Sequence, residues 1–167
     1  GAVLSAWNGA FLQERAVGSL DFTGLAGAAR TLARELALQP GPAPEPGAVQ
    51  DRHFTMPARI DPQSQAPRDK LELCRRYHQA VRGLDPRIVN AMVSYSETVE
   101  AKAFANRTSL LSQSLTRIRF RVTLFVSDGQ KVQRDWLGKD GTGGLEIARI
   151  SDDELRALAE SAVALLS

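Results

Sequence analysis

The spacing of hydrophobic residues changes along the chain, and each change marks a predicted element. A short apolar segment at 2–11 is interrupted by Asn8-Gly9, a pair typical of a turn between two strands. Asp21 or Thr23 can then cap a helix that runs to about Leu38. The apolar positions of this helix recur at helical spacing and are Leu25, Ala28, Ala29, Leu32 and Leu36.

A proline-rich segment separates this helix from the next one. Residues 39–47 contain four prolines and two glycines, which cannot sustain a helix or a central strand. We therefore predict a linker or exposed loop over residues 39–67. A second helix is predicted from Pro67 to about Gly83, and its apolar face is Leu71, Cys74, Tyr77, Val81 and Leu84.

From Val89 the hydrophobic period becomes two, as in a half-buried strand. The pattern continues to Ala105, which is long enough to predict a bend or bulge near Glu97-Thr98. After a turn at 106–109, a returning strand alternates apolar residues with polar ones. The apolar set is Ile118, Phe120, Val122, Leu124 and Val126, and the polar set is Arg117, Arg119, Arg121 and Thr123.

Two further signals complete the predicted fold. Asp128-Gly129 predicts a two-residue hairpin turn that folds residues 131–136 back beside the arginine-bearing strand. Ser151 and Glu154 have the spacing of a capping box at the start of a last helix. We predict an α+β fold, in which an antiparallel sheet of meanders and hairpins carries helices packed on one face.

Composition limits what these elements can do. With 167 residues, 43% of them hydrophobic and 24% charged, the chain has the composition of an ordinary globular protein. A net charge of +2 gives no strong attraction to nucleic acid or membrane, and no apolar run approaches the roughly 20 residues that span a bilayer. The single cysteine fits a reducing compartment, so we expect a cytoplasmic location. Because the chain begins at Gly1 rather than methionine, we expect it to be a fragment.

The residue types that could hold a metal are few. The only histidines are His53, in the predicted loop, and His78, on the second helix beside two arginines that oppose a bound cation. Cys74 lies one helical turn before His78, but no orienting group or oxyanion site accompanies the pair. Cys74 is better interpreted as a small core residue. We therefore predict no metal ligand and no catalytic residue in this chain.

Residues 138–144 form a glycine-rich segment that we predict to be a loop. It does not fit a phosphate-binding P-loop, because no glycine stands five residues before Gly138-Lys139 and no Ser or Thr follows the lysine. A flexible crossing or a close approach of another backbone explains it better. Such loops can also lie along a bound peptide, so Gly141, Gly143 and Gly144 are candidate contacts.

Arg117, Arg119 and Arg121 share one strand face, with Lys131 and Arg134 expected opposite them on the hairpin partner. This ladder could bind phosphates. The nearby aromatic residues Phe120 and Trp136 do not alternate with the arginines as a base-stacking platform requires. A solvated face, or one that docks on a neighbouring domain through ion pairs, is favoured over nucleic acid.

The order of these parts resembles the N-terminal domain of the TldD/PmbA family, once described as modulators of DNA gyrase and understood as zinc metallopeptidases. The resemblance covers residues 70–146. It rests on a helix followed by a series of short motifs, namely Asp85-Pro86-Arg87-Ile88-Val89, Val93-Ser94-Tyr95-Ser96, Phe104-Ala105-Asn106, Asp128-Gly129 and Gly143-Gly144-Leu145-Glu146. The last motif is more similar to the TldD branch than to the PmbA branch.

The resemblance implies a function without supplying catalytic residues. In the family, zinc is held by a His-Glu-x-x-x-His helix and a later cysteine of a C-terminal domain, and neither motif occurs here. The resemblance therefore implies a single N-terminal-type domain over 1–167, a non-catalytic part of the substrate cleft and assembly of a peptidase that acts on unfolded peptides. The implied partners are its own C-terminal catalytic domain, which carries the zinc, a homo- or heterodimer subunit, and a peptide.

One alternative of a different class stays open. The chain could be a stand-alone interaction or nucleic-acid-binding module that uses the face of Arg117, Arg119 and Arg121. Binding of that kind would weaken steeply with salt.

Overall fold

The structure, a computed structural model, describes residues 1–38, 41–42, 45 and 47–167. The chain forms two units, Gly1–Val49 and Gln50–Ser167. The single domain expected over 1–167 stays a prediction. Part of the predicted proline-rich loop, at positions 39, 40, 43, 44 and 46, lies outside the described residues.

The first unit begins with the predicted pair of strands. Strands β1 (Ala2–Trp7) and β2 (Leu12–Val17) pair antiparallel. Asn8 closes the connection between them, because its Oδ1 accepts hydrogen bonds from the backbone N–H groups of Ala10 and Phe11. The strand pair predicted around Asn8-Gly9 is confirmed.

A helix follows the strand pair in this unit. Helix α1 (Phe22–Ala37) starts after Asp21, whose Oδ1 accepts a hydrogen bond from the backbone N–H of Gly24 at 2.8 Å. The helix ends at Leu38. Both the cap at Asp21 and the predicted end are confirmed.

The second unit is built around one long strand. Its described elements are β3 (Gln50–Thr55), α2 (Pro67–Arg82), β4 (Ile88–Ala105), β5 (Ser109–Ser127), β6 (Val132–Thr142) and α3 (Asp152–Ala164). Strand β4 runs antiparallel along almost the whole of β5. Strands β3 and β6 share the other edge of β5, with β3 parallel beside its first part and β6 antiparallel beside its second part.

Strand β3 lies inside the segment that the sequence predicts to be a loop, so that prediction is wrong over Gln50–Thr55. A short 3₁₀ turn at Pro62–Ser64 also lies there. All six residues of β3 are exposed, so their sequence shows no alternation of apolar and polar positions. Pairing with β5 supplies the backbone hydrogen bonds that fix the strand, and such pairing leaves no local sequence signal.

The connection between β5 and β6 differs in detail from the predicted one. The hairpin is confirmed, but its loop has four residues rather than two, since Ser127 pairs with Val132. A type I′ turn needs positive φ at both central residues, and here only Gly129 has it, at 91°. The Oδ1 atom of Asp128 instead accepts hydrogen bonds from the backbone N–H groups of Gln130 and Lys131, which stabilises the longer loop.

The bulge predicted near Glu97-Thr98 is also wrong. These residues pair in regular register with Ile118 and Arg117, and the irregularity lies between Ile88 and Asn90. From Asn90 to Ala105 the two strands match residue for residue, and the one extra residue, Val89, is accommodated at the start of β4 instead.

The hydrophobic core lies between one face of this sheet and two helices. On β5, each inward residue is at most 1% exposed, namely Ile118, Phe120, Val122, Leu124 and Val126. Helices α2 and α3 pack on these side chains. The predicted α+β fold, with helices on one face of an antiparallel sheet, is confirmed for this unit. No helix in the described part of the chain is both long and apolar enough to cross a membrane.

Candidate functional site

The alternation of β5 places its arginines on the side of the sheet away from the core. Arg117, Arg119 and Arg121 are all exposed. We call this side, from Arg117 to Phe125 with its cross-strand neighbours, the arginine face. The neighbours are Asn90, Met92, Ser94, Ser96 and Thr98 on β4 and Arg134, Trp136, Gly138, Asp140 and Thr142 on β6.

The cations expected opposite the arginines lie elsewhere. Arg121 faces Gly138, and Arg119 faces Asp140, with 3.2 Å between its Nε and the Oδ2 of Asp140. Arg134 shares the face but lies opposite Phe125, and Lys131 lies in the hairpin loop. A two-residue loop would have placed Lys131 opposite Val126 and Arg134 opposite Thr123, so neither register sets these cations across from the three arginines. At 66% and 62% exposure, the Arg119–Asp140 pair contributes at most about 1 kcal/mol.

The same register brings together a pair that sequence reasoning missed. The guanidinium carbon of Arg121 lies 4.2 Å from the centroid of the Trp136 ring, in cation–π contact. A Cβ atom at Gly138 would lie 3.1 Å from the indole of Trp136, so the absence of a side chain at this glycine makes space for the ring. The correct hairpin register would have revealed the pair, since it sets Trp136 diagonally across from Arg121.

The glycine-rich segment is mostly strand rather than loop, which corrects that prediction. Gly138 and Gly141 belong to β6, and only Gly143 and Gly144 follow it. Both are buried. Gly143 has a φ of 148° and donates its N–H to the carbonyl oxygen of Thr116 at 2.9 Å.

The chain after β6 meets the chain after β3 at a junction that we call the glycine joint, formed by Gly143, Gly144, Glu146, Arg59 and Ile60. The Glu146 carboxylate accepts hydrogen bonds from the backbone N–H groups of Arg59 and Ile60, each at 3.0 Å. The bond from Arg59 is the main reason that the pKa of Glu146 is lowered. In this structure the glycine joint connects the segment that follows β3 to the segment that follows β6. Contact of Gly141, Gly143 and Gly144 with a peptide stays a prediction.

The histidines and the cysteine lie on different elements. His53 is on β3 rather than in a loop, and its Nδ1 lies 2.7 Å from the Oγ of Ser112 on β5. His78 and Cys74 are on α2, and burial raises the pKa of the Cys74 thiol, which disfavours the thiolate that binds metal. Across the residues that the structure describes, no group of three or more His, Cys, Asp or Glu could hold a metal ion. These residues therefore do not fit a zinc site.

A second polar cluster fixes α2 on the sheet. Glu97 of β4 accepts hydrogen bonds from the ammonium of Lys70 at 2.7 Å and from the hydroxyl of Tyr95 at 2.6 Å. Burial and the neighbouring Glu97 raise the pKa of Tyr95, so this tyrosine stays protonated. Burial alone would raise the pKa of Glu97, but the bonds from Lys70 and Tyr95 lower it. The three groups satisfy one another, which is the behaviour of a structural contact.

A groove of about 650 Å³ lies between α2 and the start of α3. Its apolar wall includes Leu73 and Tyr77, and Arg76 and Arg149 lie at its polar side. The Tyr77 hydroxyl is held by the backbone of Ile150, from which it receives a hydrogen bond at 2.9 Å. None of the candidate residues predicted from the sequence lines this groove.

The start of α3 is a charged junction that makes stability depend on pH. The predicted capping box of Ser151 and Glu154 is confirmed, and Glu154 also pairs with Lys139 of β6. The Lys139 bond, with those from Ser151, lowers the pKa of Glu154 from 4.5 to about 2. Because the folded-state pKa is below the unfolded one, this stabilisation is present above pH 4.5 and is lost as the pH falls toward about 2.

We therefore expect Glu154→Gln to destabilise the chain at neutral pH and to cost progressively less in acid. Urea unfolding of both proteins at a series of pH values measures the difference. Glu160→Gln, an exposed substitution on the same helix, is the control and should show no such pH dependence. A cost of Glu154→Gln that stayed constant from neutral pH down to about pH 2 would contradict the prediction.

Comparison with known protein families gives one match of direct relevance. Residues 60–167 match a family model described as PmbA/TldA metallopeptidase central domain. The matched stretch is more than half of the chain and contains the arginine face, most of the glycine joint, and both helices of the second unit. A search of curated proteins found no match.

Proposed function

Since the chain belongs to the PmbA/TldD metallopeptidase family, as its sequence predicted, we propose that it is a non-catalytic domain of such a peptidase. Its role would be to form part of the substrate cleft and of the subunit assembly. The observation that carries the proposal is the family match over 60–167, which covers the whole helix-backed part of the sheet apart from β3. The match describes a central domain, and the TldD branch and the N-terminal position stay predictions.

The proposal divides the chemistry between this chain and the rest of the parent protein. A zinc ion would act as a Lewis acid on unfolded peptides, held by a C-terminal catalytic domain, because the described residues here do not fit it. This chain would contribute the arginine face, whose guanidinium groups can donate hydrogen bonds to peptide carbonyl and carboxylate oxygens. A dimer, homomeric or heteromeric, and a cytoplasmic location complete the proposal.

The first test is peptidase activity of the 167-residue chain. With zinc supplied and a fluorogenic unstructured peptide as substrate, we expect no cleavage that a chelator abolishes. The variant His53→Ala/His78→Ala serves as the control for a hidden metal site and should behave like the original chain. Chelator-sensitive cleavage that disappears in this double variant would show that the chain is itself catalytic and would falsify the proposal.

The cleft role needs a separate measurement. A photo-cross-linking residue at Ser96, on the arginine face, should capture an unstructured peptide, whereas the same residue at Glu72 on α2 should not. Both positions are exposed. Equal capture at both positions would remove the support for a cleft on this face.

A further inference from the structure

The arginine face is not uniformly polar. Toward the β5–β6 loop it carries exposed apolar side chains, with Met92 52% exposed and Trp136 55% exposed. Phe125 lies half-buried between their strands. Toward the other end it carries Arg117, Arg119 and the hydroxyl side chains of β4. The face therefore offers an apolar anchor next to a cationic surface.

Charge at the face is strongly one-sided. Between Arg117 and Phe125 the described positions of the face hold four arginines and one carboxylate, that of Asp140. Arg119 is the arginine that pairs with it. In the part of the chain that the structure describes, neither Arg121 nor Arg134 has an acidic group within ion-pair distance. These two cations are available to a partner.

The stack on Trp136 prepares Arg121 for such a partner. The Trp136 ring contacts the guanidinium of Arg121 by a cation–π interaction, and no hydrogen bond among the described residues occupies the N–H donors of that group. Those donors lie at the edge of the guanidinium, where a carboxylate can accept two parallel N–H···O hydrogen bonds from them. Holding the side chain in place beforehand reduces the entropy that binding would otherwise cost.

The charge pattern of the face indicates which kind of molecule binds to it. A two-fold contact between two copies would place one arginine face against an identical one, and the repulsion between their like charges disfavours it. A nucleic acid strand needs successive aromatic platforms, whereas this face has a single exposed aromatic ring at Trp136 and Phe125 is half-buried. A segment with carboxylates next to apolar side chains would match both the unpaired arginines Arg121 and Arg134 and the apolar side chains beside them.

We propose that the arginine face docks an acidic amphipathic protein segment. Its carboxylates pair with Arg121 and Arg134, and its apolar side chains pack on Met92, Phe125 and Trp136. The inference deepens the proposed function by naming the chemistry of the segment that this face binds, and it rests on that proposal only in so far as the face is a binding surface.

The test uses the full 167-residue chain and synthetic probes. A fluorescein-labelled amphipathic peptide of Glu and Leu is titrated by fluorescence anisotropy, beside counterparts with Lys in place of Glu or Ser in place of Leu, and an oligo-dT strand. We expect the Glu and Leu peptide to bind more tightly than each of the others, by roughly tenfold or more, because only this peptide has both carboxylates for the arginines and apolar side chains for the apolar residues of the face.

Three variants locate the binding. Arg121→Gln and Trp136→Ala should each weaken it roughly tenfold, and Arg121→Lys should have an intermediate effect because it keeps the charge and loses the planar guanidinium. The matched controls are Trp7→Ala, whose side chain is 56% exposed in the first unit, and Arg75→Gln on α2. Both controls should bind as the original chain does. The substituted residues are exposed, and thermal unfolding verifies that each variant is folded.

Four results would overturn the inference. The first is absence of binding by the Glu and Leu peptide, and the second is binding that Arg121→Gln and Trp136→Ala leave unchanged. Tighter binding of oligo-dT at the same salt concentration would assign the face to nucleic acid. A dimer that sedimentation detects and Arg121→Gln dissociates would assign it to a second copy. None of these readouts involves peptide cleavage, so failure of this inference and failure of the proposed peptidase role are distinguishable.

Discussion

Replacing Phe120 by alanine is expected to destabilise the second unit by about 3–5 kcal/mol, the range for removal of a buried aromatic ring. The side chain is fully buried on β5 between the sheet and the helices. Its ring also contacts that of Tyr77 on α2, with 5.1 Å between centroids. The substitution would leave a cavity at the place where helix and sheet meet. Urea unfolding followed by far-UV circular dichroism measures the loss.

Phe104→Ala is the matched control, since it removes the same side chain from a position on β4 that is 56% exposed. We expect it to change the free energy of unfolding by less than about 1 kcal/mol. Similar costs for the two substitutions would contradict the arrangement in which the even-numbered face of β5 is the core. A Phe120→Ala chain too unstable to purify can be compared through Phe120→Leu, which should give a smaller loss in the same direction.

The second large effect is expected at the glycine joint. A Cβ atom at Gly144 would lie 2.5 Å from the carbonyl oxygen of Ile60 and 2.3 Å from a carboxylate oxygen of Glu146. The Ile60 contact is with backbone, which cannot rotate away as a flexible side chain can. Gly144→Ala should therefore separate the two chain segments and destabilise the second unit by about 2–3 kcal/mol.

Gly83→Ala provides the comparison. Gly83 lies at the C-terminal end of α2 in the right-handed helical region, with a φ of −91°. A Cβ atom added there would have no other atom within 4 Å. The substitution should stabilise the chain slightly, by about 0.4–1 kcal/mol, rather than destabilise it. Hydrogen exchange adds a local readout, because Gly144→Ala should expose the amides of Arg59 and Ile60 that Glu146 now holds. If these amides stayed protected and stability did not change, the close approach at Gly144 would have no structural importance.

Much of the fold could be predicted because its signals are local. Asp21, Ser151 and Glu154 cap their helices through hydrogen bonds to residues within one turn, so short sequence motifs were sufficient to find them. The alternation on β5 required no partner to be known, since one face of a half-buried strand must be apolar. The family resemblance followed from the order of these elements.

The failures concern contacts between distant residues. Strand β3 exists because it pairs with β5, about sixty residues further along the chain, and its own six residues show no pattern. The glycine joint connects Glu146 to Arg59, again across a long separation. The role of Gly144 was foreseen in general, as a close approach of another backbone, but the approaching segment could not be named from the sequence.

The candidate site divides in the same way. By itself, the sequence determined that Arg117, Arg119 and Arg121 share one exposed face, because side chains alternate along any strand. It also determined the family and the helix-backed sheet. Only the tertiary structure decided what stands opposite each arginine, because the four-residue loop after Ser127 sets the register of β6. That register puts Gly138 opposite Arg121 and Trp136 beneath its guanidinium, since cross-strand contacts depend on a pairing that no single strand encodes.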